Sequence, residues 1–142
     1  MTTIAYKKNM IATDSRMTAG GIIINDMFEK AIFRDGVLFF LSGYVHDFDK
    51  FLDEYFKEAG SYAGNISAIT VKKGVLIYAC AADKEEGGIW KSSMDRSVHT
   101  ALGSGSSFAI AAMDHGATAI EAIEYAMTRD VFTGGKVFHY EV

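Results

Sequence analysis

The sequence predicts an α+β domain in which two antiparallel sheets pack face to face with helices on the outside. Three observations predict it. Strand-like runs come in blocks, in the order strands, helix, strands, two helices, strand, which argues against a parallel βαβ sheet. Two pairs of apolar runs flank Asp35-Gly36 and Lys73-Gly74, short turns that join antiparallel neighbours. The first helical segment carries one apolar stripe and one charged face, as expected of a helix lying on a sheet. The chain has 142 residues, 49% hydrophobic and 23% charged. That is the size of one domain, 1–142, with enough apolar material for a core and too much for disorder.

"TTIAY", "NMIAT" and "GIIIN" open the chain as short β-branched runs bounded by Lys-Lys-Asn and Gly-Gly. "KAIFRDGVLFFLSG" follows as a hairpin. In "HDFDKFLDEYFKEAG", Phe48, Phe51, Leu52, Tyr55, Phe56 and Ala59 recur at helical spacing, with Asp49, Lys50, Asp53, Glu54, Lys57 and Glu58 opposite. Asp47 is the expected cap of its start and Gly60 of its end. "SAITVKKGVLIYACA" is a second hairpin, and "SSFAIAAMDHG" a small-residue helix stopped by Gly116. In "ATAIEAIEYAMTRD", Thr118 and Glu121 have the spacing of a capping box, and Ile120, Ile123 and Met127 form the expected buried side. "KVFHYEV" closes the chain as a strand.

The net charge of −4, with basic residues only in small spots such as "YKK" and "VKKG", argues against nucleic acid as a partner. No apolar run approaches the length of about 18 residues needed to span a membrane, and no charged-then-apolar leader is seen. The expectation is a cytoplasmic protein without membrane association. Cys80 is the one cysteine; inside "VLIYACAA" it reads as a small core residue. His46, His99, His115 and His139 lack metal-ligand spacing and read as structural or exposed. No cofactor is expected. "GSGSSF" has the look of a phosphate loop, but Phe108 occupies the third glycine position of the dinucleotide pattern, so a plain loop entering a helix is preferred.

Thr2 directly follows Met1 and leads straight into the first strand-like run. A threonine hydroxyl needs a base to become a nucleophile. Removal of Met1 would give Thr2 both a hydroxyl and a free α-amine, which titrates near ~7.7–8.0 and can serve as that base. Taken singly, other polar residues keep plain readings: Asp14 as a strand end, Lys30 as a solvated edge-strand lysine, Asp130 as a helix end before Gly134-Gly135.

The ordered segments "TTIAY…IATDSRMTAGG…EKAIF…LSGYVHD…GSGSSFAIAAMDHG…RDVFTGGKV" resemble the catalytic β subunits of the proteasome and the HslV-type peptidase subunit of bacterial two-component ATP-dependent proteases. The resemblance runs through nearly the whole chain. It implies a four-layer αββα fold of N-terminal-nucleophile hydrolases, here with one outer helix layer reduced, because a single helix lies between the middle strands. It implies a threonine endopeptidase acting on unfolded polypeptide in a homo-oligomeric ring, fed by an ATP-driven unfoldase. Position by position, it makes Thr2 the nucleophile, Asp14 the acid that holds the catalytic lysine, and Lys30 that lysine. Gly43 becomes the backbone donor to the oxyanion. Ser104, Asp130 and Thr133 become the groups around the terminal amine, Thr133 standing where proteasome subunits usually carry serine. Thr18 becomes a backbone contact for bound peptide. Met17, Phe28, Leu41 and Val45 become the lining of an apolar pocket, which implies cleavage after hydrophobic residues. The alternatives weighed against this reading are an inactive structural or regulatory subunit of the same fold and an amidase acting on a small substrate.

Overall fold

Four tight turns organise the strands among the described residues. At Lys8-Asn9, Gly20-Gly21, Asp35-Gly36 and Lys73-Gly74 both central residues take positive φ, from 48° to 79°. Turns of that hand match the twist of the strands they join. The computed structural model describes residues 2–57, 62–81 and 87–142. These residues form two compact units, one built from the N-terminal 30 residues together with Asp95–Val142, the other from Ala31–Met94.

In the first unit, β1 (Thr3–Lys7) and β2 (Met10–Thr13) form the centre of a four-stranded antiparallel sheet. β10 (Thr100–Gly103) pairs with β1, and β11 (Phe138–Glu141) pairs with β2. A separate two-stranded ladder joins β3 (Met17–Ala19) to β4 (Ile22–Asn25). α2 (Ser106–Asp114) and α3 (Ala119–Met127) pack against the four-stranded sheet. Their small residues allow a close fit: Ala109, Ala119, Ala122 and Ala126 are buried with Met113 and Ile123 against Ala5, Ala12 and Ala101. Both halves of the capping box at α3 are present, Thr118 Oγ1 accepting from the Glu121 N–H and Glu121 Oε1 from the Thr118 N–H. Gly116 ends α2 at φ 102°.

In the second unit, β5 (Ala31–Arg34), β6 (Val37–Gly43), β7 (Ile66–Lys72), β8 (Val75–Ala81) and β9 (Ile89–Ser93) form one antiparallel sheet in chain order. α1 (Phe48–Tyr55), preceded by a 3-10 turn at Val45–Asp47, lays Phe48, Phe51, Leu52 and Tyr55 inward. Tyr55 meets Phe39 edge-on at 4.8 Å and bonds Thr70 Oγ1 at 3.0 Å. Lys91 Nζ donates to the Tyr55 carbonyl at 2.6 Å and covers its ring. No helix among the described residues is long and apolar enough to cross a membrane.

The α+β class with antiparallel sheets agrees with the expectation, and several details differ. β3, β9 and β10 were not expected as strands. Phe56 lies past the end of α1, so it leaves the helical stripe and is exposed, still touching Phe39 edge-on. Asp47 occupies the cap position, but its αR backbone leaves the side chain without a cap hydrogen bond. Cys80 is half-buried rather than core, because it lies opposite exposed Trp90 on the edge strand β9. Ile120 and Met127 are half-buried, and Ala119, Ala122 and Ala126 take the innermost positions of α3 with Ile123. Glu58, Ala59 and Gly60, expected in the last turn of the first helix, lie outside the described residues.

Ile123 is fully buried at the centre of the α3 contact. Ile123→Ala is expected to lower stability by about 2–5 kcal/mol, read as a lower denaturant midpoint at unchanged slope.

Candidate active site

The polar residues singled out in the first unit are drawn together by the opening strand. Thr2, Thr3, Asp14, Lys30 and Thr133 are all buried, an uncommon concentration of polar groups in a core. A buried charge needs partners, and the local folding supplies them. Asp14 follows the last residue of β2, beside the start of β1, and its N–H donates to the Thr3 carbonyl at 3.2 Å. Its carboxylate is bonded at both oxygens. Oδ1 accepts from the Lys30 ammonium at 2.9 Å and from the Thr3 N–H at 3.0 Å. Oδ2 accepts from the Gly134 N–H at 3.0 Å and the Arg16 N–H at 3.3 Å. Lys30 Nζ also donates to the Arg16 carbonyl at 2.7 Å. The ammonium therefore shares an acceptor oxygen with the peptide that joins Thr2 to Thr3. Burial pulls the Lys30 pKa below the ordinary lysine value, against the opposing pull of Asp14 and, more weakly, Asp26.

A second chain of bonds leaves Thr3 through its hydroxyl. Thr3 Oγ1 lies 2.7 Å from Thr133 Oγ1 and accepts from the Gly105 N–H at 2.9 Å. Thr133 Oγ1 donates to Asp130 Oδ2 at 2.6 Å, and Ser104 Oγ donates to the same oxygen at 2.6 Å. A carboxylate only accepts, so the order of donors is fixed. Gly105 N–H donates to Thr3, Thr3 to Thr133, and Thr133 to Asp130. Burial raises the Asp130 pKa, but hydrogen bonds from Ser104, Thr133 and the Phe132 N–H outweigh it and hold the carboxyl below its ordinary value. A Cβ at Gly105 would run into the Thr3 and Thr133 hydroxyls, so glycine is required where the "GSGS" loop meets β1.

The structure thus brings Asp14, Lys30, Ser104, Asp130 and Thr133 into two networks that meet at Thr3, with Thr2 one residue away and 2% exposed. Met17, Thr18 and Phe28, half-buried, belong to the same unit. Gly43, Leu41 and Val45 belong to the second unit. Leu41 is fully buried there. Gly43 has φ 133°, and a Cβ there would collide with the Asn65 carbonyl. Thr3, Arg16, Asp26 and Gly134 were not anticipated; the doubled threonine of "MTTI" was the one available signal. No group of three or more His, Cys, Asp or Glu among the described residues is arranged to hold a metal ion.

Two stability tests follow from these bonds. Lys30→Met leaves the Asp14 charge buried without its ammonium and is expected to cost about 3–5 kcal/mol. Adding Asp14→Asn should restore part of that, as chemical denaturation would show. Asp130 has a native pKa below its unfolded value, so its contribution is present above pH about 4 and lost as pH falls through the native pKa. Asp130→Asn should flatten the acid-side fall of Tm.

Solved structures share the fold. HslV from Trypanosoma brucei is similar at TM-score 0.72 and 18% identity, over 99% of this chain and 98% of that one. Thiobacillus denitrificans BPH is similar at TM-score 0.68 and 17% identity, over 98% and 95%. The same protein in complex with epoxomicin is similar at TM-score 0.62 and 16% identity, over 98% and 96%. No protein-family model and no curated protein matches the chain. The full-length similarity shows that this chain carries the fold of HslV and of Thiobacillus denitrificans BPH.

Proposed function

We propose that the protein is a threonine peptidase that hydrolyses unfolded polypeptide with Thr2 as N-terminal nucleophile. The observation that carries this reading is the Asp14 oxygen shared by the Lys30 ammonium and the Thr3 N–H. It sets a buried cation next to the backbone of the nucleophile. The fold shared with HslV and with the epoxomicin-bound BPH supports the same class.

In this mechanism Met1 is removed, and the Thr2 α-amine takes the proton of its own hydroxyl as Oγ1 attacks the peptide carbonyl. The nearby ammonium lowers the amine pKa and favours its neutral form. The carbonyl π-electrons move onto oxygen, and the Gly43 N–H is the proposed donor to that oxyanion. Collapse expels the amine half of the substrate, which takes the proton from the Thr2 ammonium and leaves an ester on Oγ1. Water then adds to the ester and gives a proton to the amine; collapse breaks the bond to Oγ1, which takes that proton back from the ammonium as the acid half leaves. Ser104, Asp130 and Thr133 hold the amine in place. Thr18 pairs with the substrate backbone. The apolar character of Met17, Phe28, Leu41 and Val45 supports cleavage after hydrophobic residues. The family resemblance extends the reading to a homo-oligomeric ring served by an ATP-driven unfoldase in the cytoplasm.

Incubation with epoxomicin followed by peptide mapping tests the assignment. The label is expected on Thr2 as the first residue, and Thr2→Ala should lose both label and peptide hydrolysis, by at least about 10³-fold. Undiminished turnover by Thr2→Ala would sink the reading. So would an intact mass that retains Met1 on unlabelled protein, which fits the inactive-subunit alternative instead.

A further inference from the structure

The geometry points to Arg16 as a positioning residue for the Thr2 site, holding Lys30 and the Asp130 loop in place through a bidentate pair with Asp26; this rests on the threonine peptidase reading. Arg16 Nε and Nη2 donate to the two Asp26 carboxylate oxygens at 2.9 and 3.0 Å. Nη1 donates to the Val131 carbonyl at 3.1 Å. One side chain thereby joins the segment that leads to Lys30 with the segment that carries Asp130 and Thr133. Its own backbone serves the site directly, as the carbonyl accepts from Lys30 Nζ and the N–H donates to Asp14 Oδ2.

The surroundings are built to keep the guanidinium seated. A Cβ at Gly134 would collide with it, so the glycine makes room for the Arg16 fork. Gly134 in turn donates its N–H to Asp14 and accepts from the Ser15 N–H at 3.1 Å. The Asp26 carbonyl accepts from Ser15 Oγ at 2.7 Å and from the Lys136 N–H at 3.2 Å. An exposed ion pair joining only two side chains would contribute little. This one has a planar fork, a third bond to backbone, and only 20% exposure of the arginine side chain. A lysine keeps the charge but cannot make three directed bonds.

The charged groups facing the Lys30 ammonium are Asp14 and Asp26, with the Arg16 guanidinium next to both. Loss of the Asp26 charge removes negative support, so Lys30 would give up its proton at lower pH.

The test is the rate of epoxomicin labelling at Thr2, as a function of pH and epoxomicin concentration, in the wild type, Arg16→Lys and Asp26→Asn. Both variants are expected to label about 10- to 100-fold more slowly at saturation, with the half-saturating concentration unchanged. The alkaline limb of Asp26→Asn should move to lower pH. Wild-type rates and profile in both variants would overturn the positioning role while leaving the peptidase reading intact. Slowing only in proportion to the unfolded fraction, measured by circular dichroism, would also overturn it. A wild-type protein that takes no label would fail the peptidase reading and the positioning role with it. If Asp26→Asn does not fold, Gly134→Ala dislodges the guanidinium without changing any charge, and its saturated labelling rate decides in the same way.

Discussion

The Asp14 carboxylate is the constraint on which the first unit depends. It is fully buried, and a charge placed there is tolerated only when its oxygens are bonded and a counter-ion is close. The four donors come from four separate places in the chain: Thr3, Arg16, Lys30 and Gly134. Satisfying one side chain therefore fixes where the opening strand starts, where the segment ending at Lys30 runs, and where the loop before β11 must pass. The same requirement explains why polar residues cluster in a place that would otherwise be filled with aliphatic ones. Such a cluster is tolerable when complete and costly when any member is missing.

Thr3 is the point at which the two networks join. Its N–H serves the Asp14 carboxylate and its hydroxyl relays to Asp130 through Thr133. The direction of that relay follows from the carboxylate at its end, which can only accept. Each hydroxyl along it is oriented, so the networks have one arrangement rather than several. That is the kind of pre-organisation a catalytic site needs before substrate arrives.

Much of this was legible in the sequence, and the illegible part has physical reasons. The hairpin turns at Asp35-Gly36 and Lys73-Gly74 and the Thr118/Glu121 capping box are local signals, and the structure has all three. β10 was missed because "TALG" has no strand pattern of its own; it becomes a strand by pairing with β1, Thr3 opposite Gly103. The first helix ends at Tyr55, although the apolar spacing continues through Phe56, because the chain turns there and periodicity cannot report it. In the site, Asp14, Lys30, Ser104, Asp130 and Thr133 were recognisable by type and order. Thr3, Arg16 and Gly134 were not, because their bonds and close approaches to Asp14, Lys30, Asp26 and Thr133, through backbone and side chain alike, exist only in the folded chain.

Thr2 is nearly fully buried and Thr3 is stitched down on two sides, through its N–H to Asp14 and through its hydroxyl to Thr133. Strand ends ordinarily open first in a folded protein. Here opening the start of β1 would break both networks together, so local fraying at this position is tied to the stability of the whole unit.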